Sequence, residues 1–347
     1  MEKLTKILFF LFLFLVVSCS EDSSVNNSDI ELRKMLAFKS SGDEILVIDL
    51  KSGNTIENID LALKSGMKLN GNVSKIYHFS GKFYLMMPED KKIIVLNKAD
   101  RSLHGVIELT GFPKKPDDMT FAPNGTTAYV NFEDDSVVSV IDITVNQSAK
   151  TVKFNSVISD VLCNGNVLYA AGLTSDELYA VSTTDNSLIK TVKTPARPYL
   201  LEFTNKNNEL YVISAGIGKH TLEDGLSPAN VTFYKPETLE KVKTFELAIP
   251  QLPAQDLVPF DVVNTVNDWS FVITQNYIVR FDASNRGRTR FFFQGKFEYQ
   301  FYDITKDMVY FYTRAEGGKI YKTTPYSPDI QENISVSGKL SSFYIFR

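Results

Sequence analysis

A short apolar run with a large residue at its centre returns seven times along the chain, marked by Leu36, Tyr84, Tyr129, Tyr169, Tyr211, Phe271 and Tyr310. A second mark follows each of them: Ile48, Leu96, Ile141, Val181, Tyr234, Phe281 and Tyr321. The second series advances from position 48 to position 321 in six steps, a mean period of about 45 residues. Strand-like units with a period in the forties cannot bury both of their faces alone, so each must pack on its neighbours. The expected fold is all-β: a seven-bladed β-propeller of four-stranded antiparallel blades over residues 35–347.

The third unit shows the expected strands best. Pro116 to Phe121 is followed by a turn at Pro123-Asn124-Gly125, then Ala128 to Asn131, Val137 to Ile143, and Lys150 to Phe154. Asn-Gly between apolar runs favours a hairpin because glycine accepts positive φ. We name the strands A to D from the innermost outward. Unit one opens at its strand B near Met35, and the chain ends on a strand-like segment, residues 338–346, with nothing after it. That C-terminal segment is expected to supply strand A of the first blade, pairing edges that an open ring would leave exposed.

Pro116 through Val130, followed by Val140-Ile141-Asp142, resembles the repeat of the YVTN (YncE-like) family of seven-bladed propellers. Ile45 to Asp49 and Leu210 to Val212 echo parts of it; units one, two, six and seven depart more. The resemblance implies a fold more firmly than an activity.

The N-terminus carries a separate message. Lys3 and Lys6 precede an unbroken apolar run from Ile7 to Val17, too short to span a bilayer as a helix, which takes about 20 residues. Val16-Val17-Ser18-Cys19 resembles the lipobox of bacterial lipoproteins, which implies a signal peptide over 1–18 and lipidation of Cys19, with palmitate among the expected acyl groups. Ser20-Glu21-Asp22-Ser23-Ser24 resembles the surface-export signal of Bacteroidetes lipoproteins. Residues 19–34 are then the lipidated cysteine and a polar tether. One acyl chain anchors only marginally and two or more hold durably. The implied location is the bacterial outer membrane, at the cell surface. With Cys19 lipidated, Cys163 has no partner for an intramolecular disulfide.

The formal net charge is −4 and no run is rich in Lys or Arg, so a nucleic-acid partner is not expected. The distance between the paired marks is 10 to 12 residues in six units and 23 in the fifth. The extra length, residues 215–230 with His220, and the segment leaving the same blade, residues 248–259 with Asp256, fall on one rim. Long loops on one rim of a repeat fold are commonly its binding face. Nearer the axis, Ser74, Asp118, Asp160, Asp261 and Gln300 lie about ten residues before the first marks. The three carboxylates suit a metal or a cationic group, or else they bond a neighbouring blade's backbone. Arg197 and Arg314 fall on rim loops, where they would meet an anion or solvent. Tyr199 and Phe260 follow prolines at the start of strand A and are candidates to line the mouth.

The three histidines lack metal-ligand spacing, and no H-E-x-x-H, C-x-x-C, phosphate-cradling glycine loop or G-x-S-x-G is present. No cofactor, metal or catalytic set is therefore expected. The sequence favours a monomeric, non-enzymatic binding lipoprotein that captures a small-molecule nutrient or a protein partner on its top rim, for which a TonB-dependent transporter is one expected associate. A lactonase-like hydrolase and a protein-interaction platform are the alternatives.

Overall fold

The computed structural model describes residues 34–39, 44–216, 229–247, 259–287, 291–315, 318–327, 329–336 and 339–346. The lipobox with Cys19, and the rim residues His220 and Asp256, lie outside them.

Seven four-stranded antiparallel sheets are present. Every first mark lies on strand B of its sheet and every second mark on strand C. Blade three runs Pro116–Phe121, Thr127–Phe132, Val137–Asp142 and Gln147–Lys153, its outermost strand starting three residues earlier than the sequence suggests. Asn124 closes the A–B turn by accepting from the N–H groups of Thr126 and Thr127, both at 3.0 Å, and Gly125 has φ 75°. The aspartate of Val140-Ile141-Asp142 is also a turn residue. Its carboxylate accepts from Thr144 N at 2.9 Å and Thr144 Oγ1 at 2.6 Å, and Asp49 caps the C–D turn of blade one in the same way.

The second marks have a structural meaning of their own. In six blades the pairing between strands C and D slips just before the mark, at Ile48, Leu96, Ile141, Val181, Tyr234 and Tyr321. A bulge adds twist and turns the outer strand away from flat edge pairing.

The ring is closed by the C-terminus. Leu340–Phe346 pairs antiparallel with Lys34–Lys39, Tyr344 opposite Leu36, and completes blade one. Seven hydrophobic clusters of buried residues follow, one between each pair of neighbouring blades. The cluster between blades seven and one joins Tyr310, Tyr312 and Ile320 to Met35, Ile48 and the tail residues Leu340, Phe343 and Ile345. Central strands are buried on both faces because a blade stands between two others; the runs 45–48 and 93–96 are buried throughout. Outer strands face solvent, as in Gln147–Lys153, where Val152 alone is buried. Among the described residues the one α-helix, Leu61–Ser65, links blades one and two. Asp60 caps its start by accepting from Leu63 N, and Gly66 ends it at φ 68°. Among the described residues no helix is long and apolar enough to cross a membrane.

Candidate functional site

The innermost strands of blades three to six share a local irregularity. Each carries one extra residue near its start: Asp117, Ser159, Tyr199 and Phe260. Three of the four strands begin with proline, Pro116, Pro198 and Pro259, which suits a first strand residue because proline has no N–H for the ladder. A bulge re-aims the side chain that follows it. The residues that follow are Asp118, Asp160, Leu200 and Asp261.

Cross-strand pairing fixes which positions are equivalent. The partners of the first marks on strand A are Tyr77, Thr120, Leu162, Glu202, Val263, Phe301 and Tyr344. Two residues earlier, on the same face by the period of a strand, stand Lys75, Asp118, Asp160, Leu200, Asp261, Tyr299 and Ser342. The count along the sequence placed Ser74 and Gln300 in this set. The structure replaces them with their neighbours Lys75 and Tyr299, because the A–B turns differ in length and a slip of one residue exchanges the faces of a strand. The correction changes the chemistry: the position that looked acidic and polar holds a lysine.

That lysine anchors the site. Lys75 Nζ lies 3.4 Å from Asp118 Oδ2, and the Tyr77 hydroxyl donates to Asp118 Oδ1 at 2.6 Å. Burial works to lower the Lys75 pKa, but Asp118, Asp117, Asp160 and Asp261 together outweigh it and push it up. The Lys75 side chain keeps 37% of its exposure although protein surrounds it. Its open side faces the axial space, where its charge is screened less than on a convex surface.

Asp118 and Asp160 form one carboxyl pair. Burial opposes the ionisation of both, yet Lys75, Tyr77 and a hydrogen bond with Asp160 hold Asp118 below the usual range, while burial and the charge of Asp118 drive Asp160 far above it. The pair therefore shares one proton, as expected when two carboxylates compete for one site. Asp160 also accepts from Val161 N and, across the blade boundary, from Leu201 N, each at 2.7 Å. Its bond to a neighbouring blade's backbone is the structural role that the sequence offered as an alternative to ligand binding.

Beside this pair lies an axial cavity of about 490 Å³. It is lined by Ser74 to Tyr77 from blade two, Asp118 from blade three, Glu202 from blade five, Phe260, Asp261, Val263 and Asn264 from blade six, and residues 298–302 from blade seven. Burial pushes both Glu202 and Asp261 up to about 7; the charge of Asp261 adds to the rise at Glu202 and that of Asp118 to the rise at Asp261, where Lys75 and hydrogen bonds from Val262 N and Gln300 oppose it. Glu202 Oε1 accepts from Phe203 N at 2.7 Å. Gln300 is 3% exposed; its Nε2 donates to Phe271 O at 3.2 Å, and its Oε1 has no partner.

Of the residues singled out from the sequence, Ser74, Asp118, Phe260, Asp261 and Gln300 line the cavity, and Asp160 adjoins it through Asp118. Arg197, Tyr199 and Arg314 are not in its lining. Arg197 is exposed with φ 56°, and its N–H donates to Asp176 at 2.7 Å. Arg314 is exposed and its Nε reaches Leu340 O of the closing strand at 3.3 Å. Lys75, Tyr77, Glu202 and Tyr299 were missed. Glu202 was within reach: it lies two residues past Leu200 and so on the same strand face. Among the described residues no group of three His, Cys, Asp or Glu side chains has metal-holding geometry. The lone Trp269 packs under Arg280, whose guanidinium carbon is 4.8 Å from the ring centroid.

No family model and no curated protein matches the chain. Among solved structures it is similar to Kuenenia stuttgartiensis hydrazine synthase, with a TM-score of 0.56 and 14% sequence identity, over 70% of this chain and 73% of that one. At that identity the likeness concerns the propeller fold alone.

Proposed function

We propose that the protein is a membrane-anchored, non-enzymatic binding lipoprotein of the YVTN-like, Bacteroidetes type, which captures a small molecule at the axis of its propeller. The observation that carries the reading is the cavity of about 490 Å³, within the ordinary size of a small-molecule site and lined by aromatic walls with a few convergent polar groups. Val16-Val17-Ser18-Cys19 supports the anchor. A surface-held capture protein suits delivery to an outer-membrane transporter of the TonB-dependent kind. Two experiments test this. Cys19→Ser should abolish metabolic labelling with palmitate and release the protein from the membrane fraction; retention of both would overturn the anchor. A thermal-shift screen of the soluble chain against cofactors, glycans and metabolites should yield stabilisers that lose their effect in Phe260→Trp, which crowds the cavity; a screen without such a ligand would overturn capture.

A hydrolase is the second reading, and one observation favours it. Glu202 and Asp261 are poised near 7 beside an ionised Asp118, the condition for general acid and base work at neutral pH. Turnover of a lactone panel that is lost in Asp261→Asn would establish it, and no turnover would dismiss it.

A further inference from the structure

We infer that the axial cavity takes a small organic amine in its ammonium form, seated beside Asp261 and Glu202. The inference rests on reading the cavity as a ligand site and names the ligand's chemical class.

Among the described residues that line the cavity one is a cation, Lys75, and it is engaged with Asp118. Asp261 and Glu202 line the same space without an ion pair among the described residues. A second positive charge is what the site lacks.

Hydrogen bonding points the same way. Among the described residues Glu202 accepts from Phe203 N, at 2.7 Å, and Asp261 accepts from Gln300 and Val262 N. A carboxylate has about four acceptor sites, so both keep lone pairs for a donor in the cavity, and an ammonium group brings three donors and no acceptor.

Phe260, Tyr299 and Phe301 form the wall of the cavity. Aromatic faces attract a cation and also accommodate the apolar body of an amine.

The test uses three probes on one skeleton: phenethylamine, phenethyl alcohol and phenylacetate. Each is titrated calorimetrically into the soluble chain, residues 20–347, at pH 8, where Asp261 and Glu202 are ionised. The amine should bind one to one, at least tenfold tighter than either of the others. Asp261→Asn and Glu202→Gln should each weaken it about tenfold or more. Tighter binding of the alcohol or of phenylacetate would overturn the amine class while leaving ligand capture in place. Silence from all three would also overturn the amine class, and capture would then be decided by the wider screen. If a variant does not fold, the comparison of the three probes on the native sequence still decides.

Discussion

Glu202→Gln isolates the electrostatic cost that the axis carries at neutral pH. Glu202 is inside the ring with one backbone donor, Phe203 N, and burial lifts its pKa from an ordinary 4.5 to about 7. A raised carboxyl pKa means that the folded state holds the proton more tightly than the unfolded chain. The stability this confers is complete below about pH 4.5, declines as pH rises, and is gone above about pH 7. A rise of that size corresponds to about 3 kcal/mol across the window, and partial contact with the channel lowers the expected value to about 1–2 kcal/mol. Glutamine keeps the shape and an oxygen for Phe203 N but cannot ionise, so it escapes the loss. For a domain of roughly 310 residues the entropy of unfolding is near 0.65 kcal/mol/K, and the gain becomes about 2–3 °C in Tm at pH 8. Differential scanning calorimetry of both proteins from pH 4 to 9 should show the curves meeting near pH 4.5, separating between about pH 4.5 and 7, and keeping a constant gap above that. A constant offset at all pH values, or a less stable variant at pH 8, would refute the reasoning.

Further outcomes are expected elsewhere. Deleting residues 338–347 should unfold or aggregate the protein, and Phe343→Ala, fully buried in the closing strand, should cost about 3–5 kcal/mol; an unchanged Tm for the truncated chain would contradict closure by the tail. Asp118→Asn removes the carboxylate that faces Lys75 and should cost about 2–4 kcal/mol in chemical denaturation at pH 7. A loss below about 1 kcal/mol would argue against a stabilising pair. Arg280→Met should cost about 2–4 kcal/mol, because this 1%-exposed guanidinium donates to Pro325 O and Ser327 O of the next blade; a neutral substitution would show that those carbonyls find other donors. Cys163, whose thiol burial pushes up to about 12, should react with iodoacetamide at pH 8 many-fold more slowly than in the denatured chain, as followed by mass spectrometry.

The sequence by itself determined the number of blades, the strand on which each mark falls, and the closure by residues near 340–346. These are matters of local strand chemistry and period, and such features repeat wherever the backbone repeats. It also pointed to Asp118, Asp160 and Asp261, since three aspartates near one repeat position stand out in apolar strands. What it could not settle was register. Ser74 and Lys75 are adjacent in the chain but lie on opposite faces of a strand, and only the pairing of Tyr77 with Tyr84 decides which of them is equivalent to Asp118. The charge state of the axis is likewise a property of the closed ring. Lys75, Asp118, Asp160, Glu202 and Asp261 come from five different blades, and no window of sequence contains their mutual distances. Folding brings them together, removes most of their water, and so decides which carboxyls keep their protons and which one answers the lysine.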